Sequence, residues 1–197
     1  MRICAITPPD GPLPRTSWLL GRVCNPEGIP VPFNSLTKGS PWKGDLPLYS
    51  AIEQRGAVTD LSLTTRMELV ASKAAADALR SALSPWCQFL PLQVQGRGTG
   101  DFFVINAVTL LDALDEEKSG VSFERFPADP RMAAKEAESH RRYDVIRKHV
   151  FKQELVTAPI FRLEKAPLEL FVRDDVVQMF AKLGEGGGIS VRRLEAS

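Results

Sequence analysis

Residues 160–175 read IFRLEKAPLELFVRDD, and residues 176–194 continue VVQMFAKLGEGGGISVRRL. The stretch reads as strand, short Pro-containing turn, strand, helix, Gly-rich turn and final strand. Asp174 is the predicted cap of the helix. Val176, Val177, Phe180 and Leu183 recur at helical spacing and form its expected buried stripe. No side chain here suggests catalysis, so the stretch is read as architecture.

The same pattern occurs earlier. Met67 to Ala71 predicts a short strand, Ser72 stands at the N-cap position, and KAAADALRSAL follows as a helix with Ala75, Ala78, Leu79 and Leu83 on one face. Ser84-Pro85 stops it. Met67-Glu68-Leu69 and Leu168-Glu169-Leu170 each open a strand that runs into a helix. An internal duplication and a commonplace strand–cap–helix unit are both open readings. Between the two units, Gln88–Gln95 predicts a strand that Pro91 places at an edge or a bulge. GRGTGD then turns the chain into FFVINAVTLLDAL, a β-branched and aromatic strand completing a hairpin. Phe123 and Phe126 are expected to cover the core. Asp129-Pro130 starts a polar surface helix. YDVIRKHVFKQELV is open between a helix with Tyr143, Ile146 and Val150 on one stripe and a strand with Val145 and Phe151 on one face, the strand being favoured.

Nine of the fifteen prolines lie before residue 50. Proline fixes φ and removes a donor, so this region is expected to hold no long helix and no central strand: residues 1–7 read as one strand, followed by an irregular arm with short extended pieces. Trp18, Phe33 and Trp42 are the expected ties of this arm to the rest. The overall expectation is one α+β domain over 1–197. It has a mixed or mainly antiparallel sheet, two short capped helices, a Pro-rich arm (1–59) and a core (60–197).

Composition excludes several function classes. At 197 residues with 44% hydrophobic and 25% charged residues, the chain suits a soluble globule with a self-sufficient core. A net charge of +1 gives no global pull toward nucleic acid or membrane. No apolar run approaches membrane-span length, and MRICAITPPDG does not fit a signal peptide. Cys4, Cys24 and Cys87 lack metal spacing and read as free thiols in a reducing cytosol, the second reading being one disulfide with a leftover thiol. His140 and His149 have no zinc partners at ligand spacing. The loop at 96–100 precedes a strand, and the one at 184–188 leaves a helix, so neither cradles a phosphate. No metal, cofactor or catalytic residue is predicted. Asp112, Asp115, Glu116 and Glu117 gather four carboxylates within six residues; they read either as a solvated loop or as a docking patch.

IFRLEKAPLELFVRDD with its helix and ISVRRLEA strand, FFVINAVTLLDALDEEKSG and VASKAAADALRSAL together resemble immunity protein family eleven of bacterial polymorphic toxin systems, over roughly residues 60–197. The chain departs from the family pattern at Lys165-Ala166, where a Gly-Trp step is frequent, and at Arg173, where the cap is usually small. The resemblance implies a cytoplasmic, non-enzymatic α+β protein that binds and neutralises a cognate toxin domain. A homo-oligomer is compatible with it. A basic toxin would dock on Asp112, Asp115, Glu116 and Glu117 by charge steering. The alternative is a small cytoplasmic hydrolase or transferase using Cys87, His140 or His149.

Overall fold

A computed structural model of the protein describes residues 1–8, 18–32, 35–54, 56–98, 100–123, 142–183 and 188–194. In chain order these form β1 (Ile3–Thr7), β2 (Leu19–Cys24), β3 (Leu48–Gln54), β4 (Leu61–Leu63), β5 (Leu69–Ser72) and α1 (Lys73–Leu83). Next come β6 (Cys87–Val94), β7 (Phe102–Ala107), β8 (Leu110–Leu111), α2 (Glu116–Ser119), β9 (Val121–Phe123) and β10 (Tyr143–Ile146). A 3-10 turn (Gln153–Leu155), β11 (Ile160–Leu163), β12 (Ala166–Arg173), α3 (Asp174–Ala181) and β13 (Ser190–Arg193) complete the series. The fold is α+β, as the sequence predicts. A five-stranded sheet has the order β13-β1-β12-β11-β8, a six-stranded sheet the order β2-β3-β6-β7-β5-β4, and β9 and β10 pair separately. The six-stranded sheet nearly closes into a barrel: Leu20 and Thr64 form a parallel bridge, and the Thr65 N–H donates to the Leu20 carbonyl at 3.0 Å.

Alternation along the strands divides the apolar residues among three clusters. Cys4, Ile6, Ile160, Leu170 and Val172 from one sheet meet Leu69, Ala71, Cys87, Ile105 and Ala107 from the other, together with α1 and α3. Leu20, Leu48, Val70, Leu92, Val94 and Val104 fill the barrel side of the six-stranded sheet, with Trp18 among them. On the far face of the five-stranded sheet, Phe161 and Phe171 stack with centroids 5.6 Å apart, and Phe151 packs edge-on to both. Each fully buried phenyl ring contributes roughly 2–3 kcal/mol of burial.

The strand–cap–helix reading holds in both units, with local corrections. Ser72 caps α1 by accepting from the Ala75 N–H. Ala76 rather than Ala78 is buried, because at about 100° per residue Ala75, Leu79, Leu83 and Ala76 fall within one stripe about 100° wide and Ala78 lies outside it. The predicted strand at Met67 begins at Leu69, since Met67 has φ of 66°. Asp174 is the first residue of α3, and Arg173 holds the cap position without a side-chain bond. Val176 and Phe180 are buried, with Val177 and Leu183 packed against the same core.

Larger corrections concern strand partners. β6 is interior despite Pro91: Pro91 lies opposite Phe103 of β7, while pairing with β3 begins one residue later at Leu92, so the missing N–H costs no bond to β3. The predicted single strand over 102–114 is two, β7 in the six-stranded sheet and β8 in the other. The chain crosses between the sheets at Val108 and Thr109, where the Val108 N–H bonds the Trp86 carbonyl and the Thr109 carbonyl receives the Arg162 N–H, each at 3.0 Å. The strand predicted over 143–156 is confined to β10 and gives way to the 3-10 turn. β3 is a central strand within the Pro-rich region, because the prolines end at Pro47 and leave every β3 residue a donor. Trp18 ties the arm as expected, its indole donating to Ser62 Oγ at 2.8 Å and its ring 5.1 Å from that of Phe102. Trp42 packs against the barrel-side cluster. Phe33, Phe126 and the helix predicted from Asp129 lie outside the described residues.

Candidate functional site

The four predicted carboxylates stand on a ledge at the end of the five-stranded sheet. Ala113 and Leu114 anchor it in the outer cluster. The Asp115 N–H donates to the Val150 carbonyl and the Lys152 N–H to the Ala113 carbonyl, each at 2.8 Å. Buried Ser119 accepts from the Val150 N–H at 3.1 Å and fixes the end of α2. Gly120, at φ of 61°, ends the turn in the left-handed region.

The carboxylates have different tasks. Asp115 is the N-cap of α2, accepting from the Lys118 N–H at 3.1 Å, with the Lys118 ammonium 3.3 Å away. The Lys118 backbone bond holds its pKa below the usual range. Glu116 Oε1 accepts from the Tyr143 hydroxyl at 2.8 Å and from the Lys165 ammonium at 2.5 Å. Burial alone would raise the pKa of Glu116, but the bonds from Lys165 and Tyr143 outweigh it and the net direction is down. Lys165 also lies 3.8 Å from Asp112 and 5.8 Å from the Tyr143 ring centre. Desolvation would lower the Lys165 pKa, yet Glu116 and Asp112 raise it overall. Burial and the bond to Glu116 push the Tyr143 phenol up. Asp112 remains largely exposed, and Glu117 is exposed with no ion-pair partner among the described residues. The ledge is thus partly neutralised from within.

Lys165 and Tyr143 also line a groove of about 360 Å³ with Lys38, Arg142, Pro167 and Leu168. Behind its floor sits Arg162, fully buried, whose Nη1 donates to the Pro167 and Leu168 carbonyls at 2.9 and 3.0 Å. Its Nε and Nη2 have no hydrogen-bond partner among the described residues. Burial lowers the guanidinium pKa to about 10, opposed by the charge of Glu68. Glu68 is itself buried and bonded to the Thr64 hydroxyl, with burial raising its pKa.

Of the residues singled out for chemistry, Cys87 belongs to the cluster between the sheets, whereas His149 stacks on Phe151 and tilts against Phe171 of the outer cluster. Cys87 is buried, and desolvation raises its thiol to about 12, which removes thiolate character at neutral pH. His149 packs against Phe171 with its Nε2 3.2 Å from Glu169 Oε2, though out of line for a hydrogen bond. His140 lies outside the described residues. Among the described residues no group of three or more His, Cys, Asp or Glu is placed to hold a metal, and no helix is long and apolar enough to cross a membrane. Tyr143, Lys38, Arg142 and Arg162 were missed by sequence reasoning. Arg162 carried a signal, a cation inside the apolar strand IFRL, whereas the others meet through long-range packing.

The fold and surface define a small α+β protein whose most developed feature is a charged ledge beside a lined groove. Residues 24–190 match the model of the Immunity protein family (Imm11), and the chain belongs to that family. No curated protein matches the chain.

Proposed function

We propose that this chain is an immunity protein that binds a cognate bacterial toxin domain in the cytoplasm and neutralises it by direct contact, without catalysis. Membership of the immunity family over residues 24–190 carries the reading. The ledge of Asp112, Asp115, Glu116 and Glu117 forms part of the docking surface for a basic partner. Carboxylates arrayed on one face steer association and fix register more than they add raw affinity. Asp112 and Glu117 are the members that face outward, since Asp115 caps α2 and Glu116 holds Lys165.

Co-expression with the toxin domain encoded beside the gene tests the function. The intact chain should protect cells and bind that domain; failure of both overturns the reading. The D112K/E117K variant should slow association at low salt, and unchanged association kinetics would remove the ledge from the interface. A folded C87A/H140A/H149A variant should protect fully. Loss of protection would favour the hydrolase or transferase alternative.

A further inference from the structure

The groove next to the ledge has its own chemistry. Its cationic lining is Lys38, Arg142 and Lys165, and its anionic lining is Glu169. Lys165 is committed to Glu116 and Asp112. Lys38 is exposed, and neither Lys38 nor Arg142 has a carboxylate within 4.0 Å among the described residues. Arg142 is oriented by the bond from its Nη1 to the Glu164 carbonyl, which leaves most of its five-donor fork to a ligand. Leu168, 47% exposed, supplies an apolar rim, and its carbonyl is pinned by Arg162 from below. A rigid floor lowers the ordering cost of binding.

We propose that this groove is a docking site for a carboxylate side chain of the toxin domain, paired by Lys38 and Arg142, with an apolar neighbour of that side chain packing on Leu168. The inference rests on the toxin-binding reading above and names the chemistry of the contact. A compact anion fits better than a polyanion, because Asp112, Glu116 and Glu164 act on Tyr143 and Lys165 and Glu169 lines the groove itself, and together they would repel a nucleic acid strand. The partner surface therefore carries an acid placed beside its basic residues. Such alternation sets register, since a shifted complex would oppose like charges.

The test uses the full chain and the toxin domain encoded beside it. The K38E/R142E variant, checked for an unchanged thermal melt, should weaken binding by about 30-fold or more. K38A/R142Q serves if the reversal disturbs folding. Zero-length carbodiimide cross-linking of the wild-type complex should join Lys38 to an aspartate or glutamate of the toxin, read by mass spectrometry. Wild-type binding that changes less than about threefold in the folded variant, with no Lys38 cross-link, overturns the groove while leaving the immunity reading intact. A single-stranded oligonucleotide that binds the wild type and is lost in the variant, with toxin affinity unchanged, overturns it too. Absence of wild-type binding overturns both.

Discussion

The Lys165 ammonium lies 2.5 Å from Glu116 Oε1, joining residues 49 apart in sequence. It ties the turn between β11 and β12 to the first turn of α2, and so couples ledge to groove.

The pair has a pH signature. The folded-state pKa of Glu116 is lowered from its ordinary 4.5, its burial being outweighed by Lys165 and Tyr143. Stabilisation by the carboxylate is therefore full above about pH 4.5 and is lost as pH falls through the depressed folded value. E116Q should melt below the wild type at pH 7, and the gap should narrow toward pH 3. A gap independent of pH would mean that shape, not charge, holds the contact.

Arg162 separates volume from hydrogen bonding. R162A removes a fully buried side chain and should cost about 3 kcal/mol in urea unfolding. R162M keeps the stem but removes the whole guanidinium, both Nη1 with its bonds to Pro167 and Leu168 and two nitrogens unpartnered among the described residues, so its cost should stay below that of R162A. Equal losses would assign the stability to the bonds with Pro167 and Leu168.

Gly39 fastens the Pro-rich region onto β8. Its φ is 68°, and an added Cβ would stand 2.4 Å from Leu110 Cγ. G39A should destabilise by roughly 2–3 kcal/mol. In an L110A background the steric part disappears, and the further loss should fall to about 1 kcal/mol. Additive losses would place the whole cost in the backbone.

Thiol labelling at pH 8 should find one fast cysteine in the native protein and three after unfolding. Cys4 and Cys87 are buried with raised pKa values, and Cys24 is partly exposed. Rapid native modification of Cys87 would contradict its packing and reopen an enzymatic role.

Local elements were legible where local physics decides them. Ser72 before an alanine-rich amphipathic run, and Val176 and Phe180 at helical spacing, led directly to α1 and α3. Partner choice was not legible. FFVINAVTLLDAL has unbroken β character, and its division between sheets depends on Trp86 and Arg162 arriving at Val108 and Thr109. Pro91 misled because a strand pairs residue by residue, and its β3 neighbour begins at Leu92. The ledge showed its charge in sequence but not its neutralisation, since Lys165 and Tyr143 reach Glu116 only through the fold.

β1 lies between β12 and β13, with Cys4 opposite Val172 on one side and Arg193 on the other. During synthesis the strand ICAI therefore leaves the ribosome long before either neighbour exists, a wait on the order of ten seconds at ordinary elongation rates. The strands of the six-stranded sheet all fall between Leu19 and Ala107, so that sheet can assemble on the nascent chain first. The five-stranded sheet must close afterwards, around a strand made long before its partners and kept from stray pairing in the interval.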